Sequence, residues 1–291
     1  MKQAVEQEVN KIYCENCIDT MARMPSEFID LTVTSPPYDN LRTYNGYSFD
    51  FEKVASELFR VTKRGGVVVW VVADATIDGS ETGTSFKQAL YFKSIGFNIG
   101  DTMIWRKSNP FNWGSNYYYP QCFEYMFVLC KGTPTRFNLM RDRAIINAGK
   151  QFYQTRRGTD DRMEYDNKKV TLAEVGKRYN VWDIAVESQP EHPAPFPKQL
   201  ASDHIISWSN AGDLVYDPFM GSGTTAAMAV RNERNFIGSE ISQEYCDIAN
   251  ERVRRECARP RQMNLGYEQE SNLARGTTAA DGEGRRGMMN E

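Results

Sequence analysis

Asp213-Leu214-Val215-Tyr216-Asp217-Pro218-Phe219-Met220-Gly221-Ser222-Gly223-Thr224-Thr225 is the stretch that decides the fold. An apolar run of strand length leads into two glycines, and residues 224–231 continue at helical spacing. Strand, glycine turn and helix in that order make up a parallel α/β unit. The glycines admit a tight turn and let a ligand approach the backbone, while the helix start presents unpaired N–H groups. Residues 235–240 read as the next strand, which ends on Glu240, 19 residues beyond Gly221. An acid at that place suits the ribose hydroxyls of a nucleotide-type ligand. Thr224 follows Gly223 with no lysine between them, which disfavours a phosphate-transferring P-loop.

The same alternation runs outward from this unit. Upstream, residues 11–14 read as a short strand, 18–24 as a helix closed by Pro25, and 28–33 as a buried strand. Phe51, Val54, Ala55, Leu58 and Phe59 repeat at helical spacing, and that helix is expected to stop near residues 63–66. Val67-Val68-Val69-Trp70-Val71-Val72 is the strongest buried-strand signal in the chain. A helix over 85–94, strands over 98–106 and 122–130, and helices over 199–210 and 243–256 complete the pattern. Strands alternating with helices imply an α/β fold with a mostly parallel sheet covered on both faces.

A second stretch, Thr34-Ser35-Pro36-Pro37-Tyr38, follows the strand at 28–33. Two prolines lack the N–H groups that strand pairing needs, so their carbonyls are left to accept hydrogen bonds from outside the sheet. With the Ser35 hydroxyl before them and the Tyr38 ring after them, they make a grip for a planar group bearing an NH2. Residues 39–48, which include Asp39, Arg42, Tyr44 and Tyr47, form a polar and aromatic loop suited to a substrate-side flap. The loop at residues 105–119 holds enough aromatics to help stabilise a nucleic acid with a base flipped out, but core packing is the expected use.

The whole chain of 291 residues is 41% hydrophobic and 25% charged, the balance of a globular domain, with a net charge of −3. No apolar run approaches the length needed to span a bilayer, and the first eight residues are charged where a signal peptide would be apolar. A cytoplasmic protein without membrane contact is expected. Cys14 and Cys17 form a lone C-x-x-C with no second close pair, so reduced thiols are expected and no metal. Charge is unevenly spread: residues 131–180 hold twelve Lys/Arg against six acids, leaving the remainder about −9. Phe152, Tyr153 and Tyr165 lie among these bases, a combination that fits a nucleic acid. Residues 258–291 are poor in apolar side chains and read as a disordered tail.

Thr34-Ser35-Pro36-Pro37-Tyr38 and Asp217-Pro218-Phe219-Met220-Gly221-Ser222-Gly223 together resemble the two signature motifs of the amino-methylating DNA methyltransferases. The catalytic motif comes first, with a basic stretch between the two, an order that resembles the family's β group. The likeness covers roughly residues 11–256. It implies a Rossmann-like S-adenosylmethionine-dependent methyltransferase fold with a seven-stranded sheet. Its two halves would span residues 11–130 and 181–257, with a target-recognition insertion at 131–180.

By the same resemblance, Ser35, Pro36, Pro37 and Tyr38 are the catalytic residues, acting on a base flipped out of double-stranded DNA. Phe219, Gly221, Ser222, Gly223 and Thr224 border the methionine part of the cofactor, with Asp217 near its ammonium group. Glu240 holds the ribose, and Phe196 and Pro197 line the remaining cofactor side. Serine ahead of Pro-Pro-Tyr is commonest among cytosine-N4 enzymes of the family, and some serine members methylate adenine N6. The resemblance leaves room for a homodimer and for a companion restriction endonuclease. Two other classes share parts of the pattern. A nicotinamide-dependent oxidoreductase could use the glycine turn and Glu240, and a non-catalytic DNA-binding module could keep the scaffold. The first leaves Ser35-Pro36-Pro37-Tyr38 and the basic insertion without a use.

Overall fold

Val68, Val69, Trp70 and Val71 have no exposed surface, as a strand covered on both faces must. The computed structural model describes residues 8–37, 50–110, 117–157, 163–187 and 197–259. In chain order the elements are β1 (Lys11–Cys14), α1 (Cys17–Arg23), β2 (Ile29–Thr34), α2 (Phe51–Val61) and β3 (Thr62–Val72). Next come β4 (Thr76–Ile77), β5 (Ser80–Glu81), α3 (Thr84–Ser94), β6 (Asn98–Lys107) and β7 (Phe123–Cys130). The insertion supplies β8 (Arg141–Ala144), β9 (Gln151–Arg157), β10 (Met163–Thr171) and β11 (Val175–Lys177). The chain closes with β12 (Val181–Ile184), α4 (Lys198–Trp208), β13 (Leu214–Asp217), α5 (Thr224–Arg231), β14 (Asn235–Glu240) and α6 (Gln243–Ala258).

Eight strands form the main sheet, in the order β1-β14-β13-β2-β3-β7-β6-β12. Every neighbouring pair is parallel except those made by β7, which runs antiparallel to β3 and to β6. The sheet thus has one strand more than the seven expected. The addition is β12, four residues with Trp182 and Ile184 buried and Val181 exposed, pairing along β6 at the edge. Strand β3 also begins earlier than expected, at Thr62. Gly66 fits inside it because a Cβ there would lie 2.9 Å from the Asp30 carbonyl.

Alternate residues of each strand feed two cores. Val67, Val69 and Val71 face α4, α5 and α6, where Leu200, Ile205, Ala226, Ala229 and Ala249 cover them. Val68, Trp70 and Val72 face α1, α2 and α3, against Met21, Leu58 and Phe92. Side-chain caps start α1 (Asn16), α2 (Asp50) and α6 (Ser242), while glycines in left-handed conformation start α3 and α5. Because all strands but β7 run one way, Cys14, Thr34, Val72, Lys107, Ile184, Asp217 and Glu240 end at one rim. Ligands of open parallel sheets bind at such a rim.

Outside the main sheet, β8 pairs with β11 and β9 with β10, both antiparallel. Backbone bonds from Ile145 to Glu174 and between residues 149–150 and Leu172 join the two pairs into one nested ribbon. Its root is fastened to α4. Asn138 donates to the carbonyls of Ile206 and Ser209, both at 2.9 Å, and Phe137 stacks on Trp208. Arg178 pairs with Asp142 of β8 and with Asp203 of α4, and lies over the Trp182 ring.

Candidate active site

Asp217 is the last residue of β13 and Thr34 the last of β2, and these strands are neighbours in the sheet. The Thr34 hydroxyl donates to Asp217 Oδ1 at 2.6 Å. From the first turn of α5, the Thr225 hydroxyl donates to the Val33 carbonyl at 3.2 Å. These two bonds tie the end of the strand before Ser35-Pro36-Pro37 to the glycine turn. The two sequence stretches therefore open onto the same rim, side by side. Ser35 and Pro37 are half-buried and Pro36 is buried.

The turn is shaped by its own carboxylates. The Phe219 N–H donates to Asp217 Oδ1 at 3.0 Å, and the Phe219 ring meets Trp70 edge-on. Gly221 and Gly223 have φ of +52° and +84°, the region that favours glycine. At Gly223 a Cβ would stand 2.8 Å from the Ala249 backbone, so α6 packs directly on the turn. Ser222 and Thr224 are buried, and Arg252 of α6 donates to the Thr224 hydroxyl at 2.7 Å. Glu240 closes the turn from β14: Oε2 accepts from the Gly221 N–H at 2.8 Å and Oε1 from the Ser242 N–H at 2.9 Å. A carboxylate has about four acceptor positions, so two remain for ligand hydroxyls.

Asp217 is almost completely buried, and its carboxyl is pushed up to about 6. Burial is the main cause, opposed by the Thr34 hydroxyl and the Phe219 N–H. Among the described residues its Oδ2 accepts no hydrogen bond. An unpartnered carboxylate oxygen beside a glycine turn and a helix start fits a ligand that brings a cationic donor and an acidic end. An amino-acid moiety has both. The residues present therefore suit the methionine part of S-adenosyl-L-methionine.

Pro197 is buried at the start of α4, which packs on α5 and β2. Tyr38, the loop at 39–48, Phe196 and the tail from residue 260 onward lie outside the described residues. Two participants gave no isolated signal in the sequence. Thr34 and Thr225 join the turns only because strands far apart in the chain are adjacent. The expectation of core packing for residues 105–119 holds for Trp105, which is buried and donates to the Ile184 carbonyl at 2.9 Å. It fails for Tyr117, Tyr118 and Tyr119, which are 88%, 64% and 98% exposed. They lie beyond the bond from the Lys107 N–H to the Cys122 carbonyl, where the β6–β7 ladder ends.

A mostly parallel, doubly covered sheet with a Ser-Pro-Pro turn and a glycine turn at the ends of adjacent strands is the architecture of a Rossmann-like methyltransferase. The DNA methylase family model for N6- and N4-type enzymes matches residues 29–251, and the chain belongs to that family. It is 56% identical over 236 residues to the orphan methyltransferase M.BamHII of Bacillus amyloliquefaciens, covering 78% of this chain and 89% of that protein. The PvuII DNA methyltransferase, which is cytosine-N4-specific, shares the fold at a TM-score of 0.61 and 18% identity, over 83% of this chain and 85% of its own. M1.HpyAVI, solved with S-adenosylmethionine, aligns at 0.58 and 21% identity, over 83% and 98%. No helix among the described residues is long and apolar enough to cross a membrane.

Proposed function

We propose that the chain transfers a methyl group from S-adenosyl-L-methionine to the exocyclic N4 amine of a cytosine everted from duplex DNA. The observation that carries this is the hydrogen-bonded junction of the two turns, Thr34 to Asp217 and Thr225 to Val33. The junction brings an acceptor-rich amine grip beside the ligand turn. Bound at that turn, the cofactor supplies an electrophilic methyl group whose leaving group is a neutral thioether.

Asp217 would lie near the ammonium group, and the free acceptor positions of Glu240 would take the ribose hydroxyls. Phe219, Gly221, Ser222, Gly223 and Thr224 border the methionine part, with Phe196 and Pro197 on the other side. The amine of a nucleobase is a poor nucleophile because its lone pair is drawn into the ring. The Ser35 hydroxyl and the Pro36 carbonyl would accept hydrogen bonds from its two N–H groups, which favours tetrahedral nitrogen and orients its lone pair away from the ring. No strong base is needed, since the nitrogen becomes acidic once the new N–C bond forms and then sheds its proton to water. Positioning and fixed dipoles supply the acceleration. Tyr38 stacks on the everted base.

Residues 131–180 serve as the target-recognition region between catalytic residues 11–130 and cofactor-binding residues 181–257. A two-stranded ribbon matches the width of the major groove. Exposed Phe152 and Tyr153, with Lys169 over the Tyr153 ring, support that use. Serine in the Ser-Pro-Pro-Tyr grip supports cytosine N4. Adenine N6 is the second reading, because the grip accepts either amine. Digesting the methylated DNA to nucleosides and identifying the product by mass is expected to give N4-methyldeoxycytidine. Finding N6-methyldeoxyadenosine alone overturns the choice of base.

A further inference from the structure

Three consecutive aromatic side chains stand in water at the rim that carries the site. Tyr117, Tyr118 and Tyr119 are 88%, 64% and 98% exposed. Water-exposed aromatic clusters of this kind mark contact surfaces. Their base is stiff. The Lys107 N–H bonds the Cys122 carbonyl at 2.8 Å, Lys107 pairs with Glu124 at 2.8 Å, and Arg106 pairs with Asp183 across on β12.

Topology gives their direction. Strand β7 is antiparallel to its neighbours, so its first residue, Phe123, lies at the rim where β2 ends in Thr34. Only β3 separates β7 from β2, which puts Phe123 about 10 Å sideways along the rim from the strand before Ser35-Pro36-Pro37, with the tyrosines four to six residues before it in the chain. A duplex presenting an everted base to Ser35 must therefore lie across this rim. Its stack then has a gap, and unstacking must be compensated. Aromatic faces accept any base by stacking, and apolar side chains inserted between base steps support unstacked DNA.

We propose that Tyr118 and Tyr119, backed by Tyr117, form an aromatic wedge that stacks into duplex DNA beside the everted base and stabilises the open form. This rests on the DNA-methylating reading of the site and adds a second contact, separate from the amine grip and the ribbon. The wedge holds the gap open, and the grip holds the base that has left it.

The test uses the full chain and a duplex carrying the sequence that the wild type is found to modify. The duplex is prepared fully paired and also with a mismatch opposite the target base, which is already easy to evert. The Tyr118→Ala/Tyr119→Ala protein is expected to bind and methylate the paired duplex about tenfold or more weakly, the worth of stacking one base on one ring. On the mismatched duplex it is expected to recover most of that loss. The Tyr118→Phe/Tyr119→Phe protein, which keeps the rings, should match the wild type on both. Cofactor affinity and melting temperature should be unchanged in all. Equal loss on paired and mismatched DNA, or no loss on either, overturns the wedge. So does a shift from dimer to monomer in sedimentation without a change in DNA binding, which would assign the tyrosines to a second copy of the chain. If the wild type transfers no methyl group to any DNA, the reading of the site fails and the wedge with it.

Discussion

On the proposed function, Asp217 sets the pH dependence of cofactor binding. Its carboxyl, raised to about 6 by burial, is neutral in the free protein below that pH and ionised above it. A cationic ligand needs the ionised form, so cofactor affinity should fall as pH drops through about 6 and level off near pH 8, as measured by calorimetry. Asp217→Asn keeps an acceptor for Thr34 and Phe219 and removes the charge. We expect it to bind cofactor about 10- to 100-fold more weakly, the value of one hydrogen bond to a charged group. The folded protein holds its Asp217 proton up to a higher pH than the unfolded chain does, so ionisation costs stability as pH rises from about 4 to about 6. The asparagine protein escapes that cost and should melt no lower than the wild type at pH 8. Ser35→Ala makes the complementary case. Its turnover should drop about 100-fold, as on losing one positioned partner of the reacting group, with cofactor affinity unchanged. The two turns themselves were legible from the chain, because glycines between a strand and a helix and a proline pair after a strand have strong local causes. The Glu240 hold on Gly221 was not, since a side chain bonding the backbone 19 residues away is a tertiary event.

Elements differ in how much of themselves they announce. Core strands such as β3 declare their burial by composition, and α2 by spacing. The ribbon does not, for a physical reason: Gln151, Phe152, Tyr153 and Lys169 are all exposed, so no apolar alternation marks either strand. Strand β12 escaped notice because its four residues, Val181 to Ile184, include the charged Asp183 and follow directly on the polar insertion, with no apolar run to set them apart. Two predictions belong at this scale. Gly223→Ala places a side chain in a left-handed position and against the Ala249 backbone, and should cost about 1–3 kcal/mol in urea unfolding. Arg178→Met cuts the root of the ribbon from β8 and α4 and leaves Asp203 without its cation. Arg178 keeps 21% of its side chain exposed, so the loss should be below the roughly 3–5 kcal/mol of a fully buried pair. Thermolysin should then cut within residues 141–177 sooner than in the wild type, while cofactor binding persists.

Across the whole molecule, the fold joins what the chain separates. Thr34 and Asp217 are 183 residues apart in sequence and 2.6 Å apart in space, because β2 and β13 are sheet neighbours running the same way. A parallel sheet delivers every strand end to one rim, so a catalytic segment and a cofactor segment can meet in either chain order. Their coupling should be visible in hydrogen exchange. Adding S-adenosyl-L-methionine is expected to protect the amides of residues 219–225 and, through Thr34 and Val33, those at the end of β2. Protection confined to the glycine turn would show that the two segments act independently.

The central claim is that both turns serve one methyl-transfer site. Its most direct measurement is single-turnover transfer of a tritiated methyl group to mixed-sequence duplex DNA by the wild type, Ser35→Ala and Asp217→Asn proteins at one fixed cofactor concentration. The account predicts label in DNA with the wild type and severe loss in both variants, with excess cofactor rescuing Asp217→Asn and leaving Ser35→Ala slow. Wild-type rates from Ser35→Ala, or rescue of both variants by cofactor alone, would contradict it.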